Sequence, residues 1–143
     1  MAASAKSINI NAPIDQVFDF VANPANMPEI WPSLIEAKNI EMLEQGGYQY
    51  DWKYSMAGVK FNGKTRTVEF IKNKKITDQT LKGIDSKFTW TFQHLEGETQ
   101  VTLEVEYTIP VPVLGKLAES IIIRQNEKEG EVLLQNLKTL MER

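Results

Sequence analysis

The chain has 143 residues, 42% of them hydrophobic and 24% charged, proportions ordinary for a globular protein. One domain spanning residues 1–143 is expected, since a domain of about 150 residues buries roughly 70% of the surface its unfolded chain exposes. A net charge of −3 and a pI near 5.3 give no general attraction for phosphate backbones, so no nucleic-acid partner is expected. The absence of cysteine and the single histidine exclude disulfides, thiol chemistry and a multi-histidine metal site within the chain, and no cofactor or metal is expected. No apolar run approaches the roughly 20 residues that span a bilayer. Met-Ala-Ala-Ser-Ala-Lys lacks the apolar core of a signal peptide, which leaves a cytoplasmic protein as the expectation.

Ser4 to Ile10 reads as a short strand with Ile8 and Ile10 on one face. Asn11-Ala12-Pro13 then offers a helix entry, because proline suits the first helical position and Asp15 suits the positive end of the helix dipole. Ile14, Val17, Phe18 and Val21 fall on one helical face, and Asn23-Pro24 ends it. Ala25 to Ile30 forms a second short helix, closed by Trp31-Pro32. Both helices are too short to be stable alone and must dock.

From Leu34 to Pro110 the periodicity changes to two. Gly46-Gly47, Ala57-Gly58, Asn73-Lys74, Gly83-Ile84-Asp85 and Glu96-Gly97 are turn signals that divide this stretch into six strands of an antiparallel meander. Lys60 to Ile71 alternates poorly and Ile76 to Lys82 is mostly polar, which points to an edge or a bend, and Gly63 suggests the bend itself. After Pro110 and Pro112, the residues Leu114, Leu117, Ala118, Ile121, Ile122, Val132, Leu133, Leu137, Leu140 and Met141 trace a helical stripe to the C-terminus. Thirty helical residues would run about 45 Å, enough to cross a sheet. The stripe is interrupted at Gln125, Glu129 and Gly130, where a cavity would fit.

The most informative segment is Tyr48 to Met56. Tyr48, Tyr50, Trp52, Tyr54 and Met56 alternate with Gln49, Asp51, Lys53 and Ser55, so one face of this strand carries four aromatic rings and the other is polar. Phe88, Trp90, Phe92 and His94 repeat the design, as do Val101, Leu103, Val105, Tyr107 and Ile109. These rings either fill the core or line an incompletely filled cavity. Buried tyrosine hydroxyls need partners, which a ligand or water would supply. Gln125 and Glu129 either face the sheet, with Arg66 a partner for the carboxylate, or reach solvent. His94 lies on the aromatic face but beside the Glu96-Gly97 turn, and no acid–base partner for it is visible.

Ile10-x-Ala12-Pro13, Val17-Phe18, Val21-x-Asn23-Pro24, Pro28 and Trp31-Pro32 resemble the opening of the polyketide cyclase/dehydrase-like branch of the START/Bet v 1-like superfamily. Val101-Thr102-Leu103-Glu104-Val105-Glu106-Tyr107, a turn containing Pro112, Leu114 and Gly115, and the helix carrying Asn126-Glu127 and Leu133-x-x-x-Leu137-Lys138 are similar to its close. The resemblance implies an α+β helix-grip fold, a curved antiparallel sheet wrapped around a long C-terminal helix, with an internal cavity for lipids, polyketides, quinones or hormones. The expected occupant is a small apolar molecule, held by Tyr50, Trp52, Tyr54, Trp90, Phe92, Tyr107, Ile121 and Gln125. Cyclase, aromatase or dehydratase chemistry is the alternative, and a quinone- or ribosome-associated regulatory role a further one, since such folds carry many functions.

Overall fold

The computed structural model describes residues 2–143, so the first residue of the expected domain lies outside them. Strand β1 (Ala2–Ile10) leads through Pro13 into helix α1 (Ile14–Ala22), which buries Val17, Phe18 and Val21. The Asn23 side chain accepts a hydrogen bond from the Ala25 backbone N–H and starts a 3-10 turn, Pro24–Asn26, followed by α2 (Met27–Ile30). Six strands follow: β2 (Leu34–Met42), β3 (Tyr48–Met56), β4 (Val59–Ile71), β5 (Lys75–Lys82), β6 (Ser86–Leu95) and β7 (Glu98–Tyr107). All pairings are antiparallel, in the order β1-β7-β6-β5-β4-β3-β2. This is the helix-grip arrangement that the family resemblance implies.

The sheet edges are β1 and β2, so the edge expectation for β4 and β5 is wrong, and the bend expectation holds. Their poor alternation has a definite cause. Thr67 pairs with Asp78 and Glu69 with Thr77, which leaves Val68 as an extra residue; Leu81 is extra on β5 between the Lys64–Lys82 and Thr65–Thr80 pairs. Each bulge reverses the facing of the residues beyond it. Thr65, Thr67 and then Phe70 therefore share the inner face, although their spacing is not uniformly two. Gly63 lies under the Trp52 ring: a Cβ built there would stand 2.1 Å from the indole and 2.4 Å from the Lys82 carbonyl oxygen.

The C-terminal helix is shorter than its sequence stripe. Gly115, at φ +86°, separates α3 (Val111–Leu114) from a second 3-10 turn, and the long helix α4 begins only at Glu119 and ends at Met141. Its 23 residues still span about 35 Å. Leu117, a member of the expected stripe, is 94% exposed. The buried face of α4 carries Ile122, Leu133, Leu134 and Leu137, and the helix packs against β1 and α2. Its C-terminal end is tied down from both sides: Lys138 donates to the Asn9 carbonyl, and Glu142 accepts from the Asn11 backbone N–H at 2.8 Å. Among the described residues no helix is long and apolar enough to cross a membrane.

Candidate functional site: an aromatic cavity with two carboxylates

Between the concave face of the sheet and α4 lies a cavity of about 110 Å³. Cross-strand register explains what reaches it. Asp78, Phe88, Val105 and Ser4 form one row across β5, β6, β7 and β1, and Ile76, Trp90, Leu103 and Lys6 form the next. From β3 come Tyr50, Trp52, Tyr54 and Met56, and from the far end of the sheet Tyr107. Met27 and Trp31 close one side; Asn126, Glu129, Gly130 and Leu133 of α4 close the other. Trp31 is part of the wall and also packs on it. Its ring lies tilted on Phe88 with centroids 5.0 Å apart and meets Tyr54 edge-on at 5.7 Å, a geometry that aromatic quadrupoles favour.

The sequence-predicted residues separate into two sets. Tyr50, Trp52, Tyr54, Trp90 and Tyr107 converge on the cavity. Phe92, Ile121 and Gln125 do not. Phe92 packs edge-on against Phe18 at 5.0 Å, because the distal half of β6 lies beneath α1. Ile121 is 53% exposed and Gln125 is exposed as well. The inward face of α4 continues from Ile122 by steps of four and three through Asn126 and Glu129 to Leu133, so the polar residues that reach the cavity are Asn126 and Glu129. For Glu129 this is one of the two alternatives expected; Asn126 is not among the expected cavity residues, and starting the series at Ile122 instead of Ile121 finds it. His94 is exposed at the end of β6. Arg66 does not serve Glu129: it faces out and donates to Gln49.

Glu129 instead accepts the Ser33 backbone N–H at 3.0 Å through one oxygen and the Ser33 hydroxyl at 2.6 Å through the other. The second carboxyl, Asp78, has no counterpart in the sequence-based expectations, because it sits in the polar stretch assigned to an edge or bend. Its Oδ1 accepts the Thr67 hydroxyl at 2.7 Å, while Thr67 itself accepts the Tyr48 backbone N–H. Burial pushes the Asp78 carboxyl up to about 6, with the Thr67 hydrogen bond opposing the shift. Its remaining exposure opens into the cavity, which it lines. Trp52 donates its indole N–H to the Thr65 hydroxyl at 2.8 Å, fixing the ring across the cavity wall.

The tyrosines answer to these acids. Burial first and the Asp78 charge second raise Tyr50 well above the ordinary phenol range. Burial and then Glu129 raise Tyr54, partly offset by Trp31 and Ser33 facing its hydroxyl. Burial raises Tyr107, with the Asn126 side chain opposing. All three stay protonated at neutral pH and are available as hydrogen-bond donors. Among the described residues no cluster of three metal-ligating side chains occurs.

A family profile described as polyketide cyclase / dehydrase and lipid transport matches residues 1–142. The chain belongs to that family. Its fold is shared with several solved structures. The di-domain ARO/CYC StfQ from the steffimycin biosynthetic pathway aligns over 98% of this chain and 50% of its own, with a TM-score of 0.76 and 15% identity. TTHA0849 from Thermus thermophilus aligns over 96% of this chain and 95% of its own, at 0.74 and 20% identity. A START superfamily protein from Mycobacterium smegmatis aligns over 91% and 96%, at 0.66 and 18%. At these identities the likeness shows fold alone. No curated protein matches the chain.

Proposed function

We propose that the chain binds one small, largely apolar, ring-bearing molecule in the cavity between sheet and α4. The observation that carries this reading is the Tyr50 hydroxyl. Tyr50 is 9% exposed and lines the cavity, yet its hydroxyl faces no hydrogen-bonding side chain among the described residues, only the field of Asp78. That hydroxyl keeps access to the cavity, so water or an occupant accepts its hydrogen bond, and an occupant that displaces the water without accepting the bond loses about 1–3 kcal/mol. Trp52, Trp90, Phe88 and Trp31 supply apolar faces on which rings stack, each such contact adding about 0.5–1.5 kcal/mol beyond area burial. An engineered apolar cavity of about 150 Å³ takes benzene, so the conformation seen here, at about 110 Å³, suits a single ring. A larger molecule requires Met27 or Trp31 in the wall to move. Membership of the family and the START-like neighbours support a ligand-binding or cyclase role in the same space.

The test is native mass spectrometry of freshly purified protein, followed by thermal denaturation against a panel of one- to three-ring compounds. Binding raises the melting temperature by mass action. No co-purifying mass and no shift across the panel would exclude the reading.

A catalytic role in cyclisation or dehydration is the second reading, and Asp78 favours it. A carboxyl with a pKa of about 6 beside a protonated tyrosine exchanges protons near neutral pH. Turnover that survives Asp78→Asn would remove Asp78 from that role. The net charge of −3 supports a ligand-binding protein without nucleic-acid contacts in the same reading.

A further inference from the structure

Three charged residues line the cavity, Lys6, Asp78 and Glu129. The lysine is already committed: its Nζ sits 2.9 Å from Glu127 and 3.3 Å from Glu131 on the α4 flank. The two acids are not. Asp78 receives one hydrogen bond, at Oδ1, and its Oδ2 meets no donor among the described residues. Glu129 is held by two hydrogen bonds from Ser33 that leave each oxygen a lone pair, and no cation stands against it. No arginine lines the space. A carboxylate-ended occupant would therefore enter a low-dielectric site with two like charges and no partner. A positively charged end would find two acceptors and, within reach, the faces of Trp31, Trp52 and Tyr54.

We infer that the cavity selects an aromatic molecule ending in a hydrogen-bond donor, with a primary amine preferred over an alcohol, and that it rejects molecules ending in a carboxylate, fatty acids included. This inference rests on the binding role proposed above and narrows its ligand class. The amine loses its hydration to Asp78 or Glu129, the ring stacks on the tryptophans, and the Tyr50 hydroxyl donates to an acceptor elsewhere on the molecule or to the water carried with it. Selectivity comes from unpaired charge against the wrong ligand as well as from contacts to the right one.

Three compounds with one apolar body separate the terms: 2-phenylethylamine, 2-phenylethanol and phenylacetate, titrated by calorimetry at pH 7.5. The expected order is amine, alcohol, carboxylate, with at least about a tenfold span between the first and last, each tenfold being about 1.4 kcal/mol. In Glu129→Gln and Asp78→Asn, both of which keep an acceptor for Ser33 or Thr67, the span should narrow several-fold. A carboxylate that binds as tightly as the amine overturns the inference while leaving the cavity a binding site. A preference for the amine that persists unchanged in the double variant also overturns it, because the source is then the acidic surface. If none of the three binds, the alcohol included, the binding role itself fails and the inference with it.

Discussion

Replacing Asp78 by asparagine should stabilise the fold, and by an amount that depends on pH in one direction only. In the unfolded chain the Asp78 carboxyl titrates near its ordinary value of 3.8; in the fold burial moves it up to about 6. Below the lower value both states are protonated and the fold carries no penalty. Between the two, the folded state holds a proton that the unfolded state has released, so stability falls as pH rises through this window. Above the upper value the penalty is constant. At about 1.4 kcal/mol per pH unit, the window is worth about 3 kcal/mol, reduced by whatever water the cavity admits to the carboxylate. Asparagine keeps the acceptor for the Thr67 hydroxyl and has no charge to bury. At roughly 3 °C for each kcal/mol in a domain of this size, the variant should melt about 5–10 °C above the parent at pH 8, and at nearly the same temperature at pH 4. Asp51, Glu69 and Glu142 act with the opposite sign. Asn39, Lys75 and the Asn11 backbone N–H respectively hold their carboxyls below the ordinary range, so their contribution is lost as pH falls. They are common to both proteins and cancel in the difference. Differential scanning calorimetry of the pair from pH 4 to pH 8 makes the measurement. Parallel profiles would refute the reasoning, since they would mean that Asp78 is solvated in the fold as well as in the unfolded chain.

Gly63→Ala should destabilise the protein by about 1–3 kcal/mol, because the added methyl meets the Trp52 ring on one side and the Lys82 carbonyl on the other; urea denaturation gives the energy and indole fluorescence reports the displaced ring. Thr65→Val leaves the Trp52 N–H without an acceptor inside the fold, and a loss of about 1–3 kcal/mol is expected in the same assay. Gly130→Ala is expected to do the reverse. A Cβ there touches only the Lys6 Cγ, at 3.6 Å, so helix propensity should add about 0.5–1 kcal/mol of stability while the new methyl narrows the cavity and weakens ligand binding in titration. Trp31→Ala should open the cavity wall, reducing affinity for any ring-bearing ligand by tenfold or more with little change in the far-ultraviolet spectrum.

Most of the architecture is legible in the sequence because it is written as periodicity. Tyr48 to Met56 and Val101 to Tyr107 keep period two without interruption and land on the sheet with their apolar faces inward. The turn residues carry their own mark, and Gly46, Gly47, Gly58, Gly83 and Gly97 all adopt the positive φ that the glycines there suggest. What periodicity hides is phase. Val68 shifts the count by one within β4, and on β5 the inward series Ile76, Asp78 and Thr80 keeps period two with only its first member apolar, so Asp78 reads as part of a polar segment when it points into the protein. On α4 a single-residue choice of starting point assigns the polar face to Gln125 instead of Asn126, a difference of about 100° around the helix axis. Contacts made across the chain, such as Ser33 with Glu129, have no local signal at all.

The Val68 bulge has a consequence for how this scaffold changes. Because Val68 resets the count within β4, Phe70, which meets Phe18 beneath α1, is phased independently of Thr65 and Thr67, which wall the cavity. A one-residue insertion or deletion absorbed at that bulge rotates one stretch of β4 and leaves the other in register. The interior can thus be re-tailored around a new occupant while the core that keeps the chain folded stays as it is.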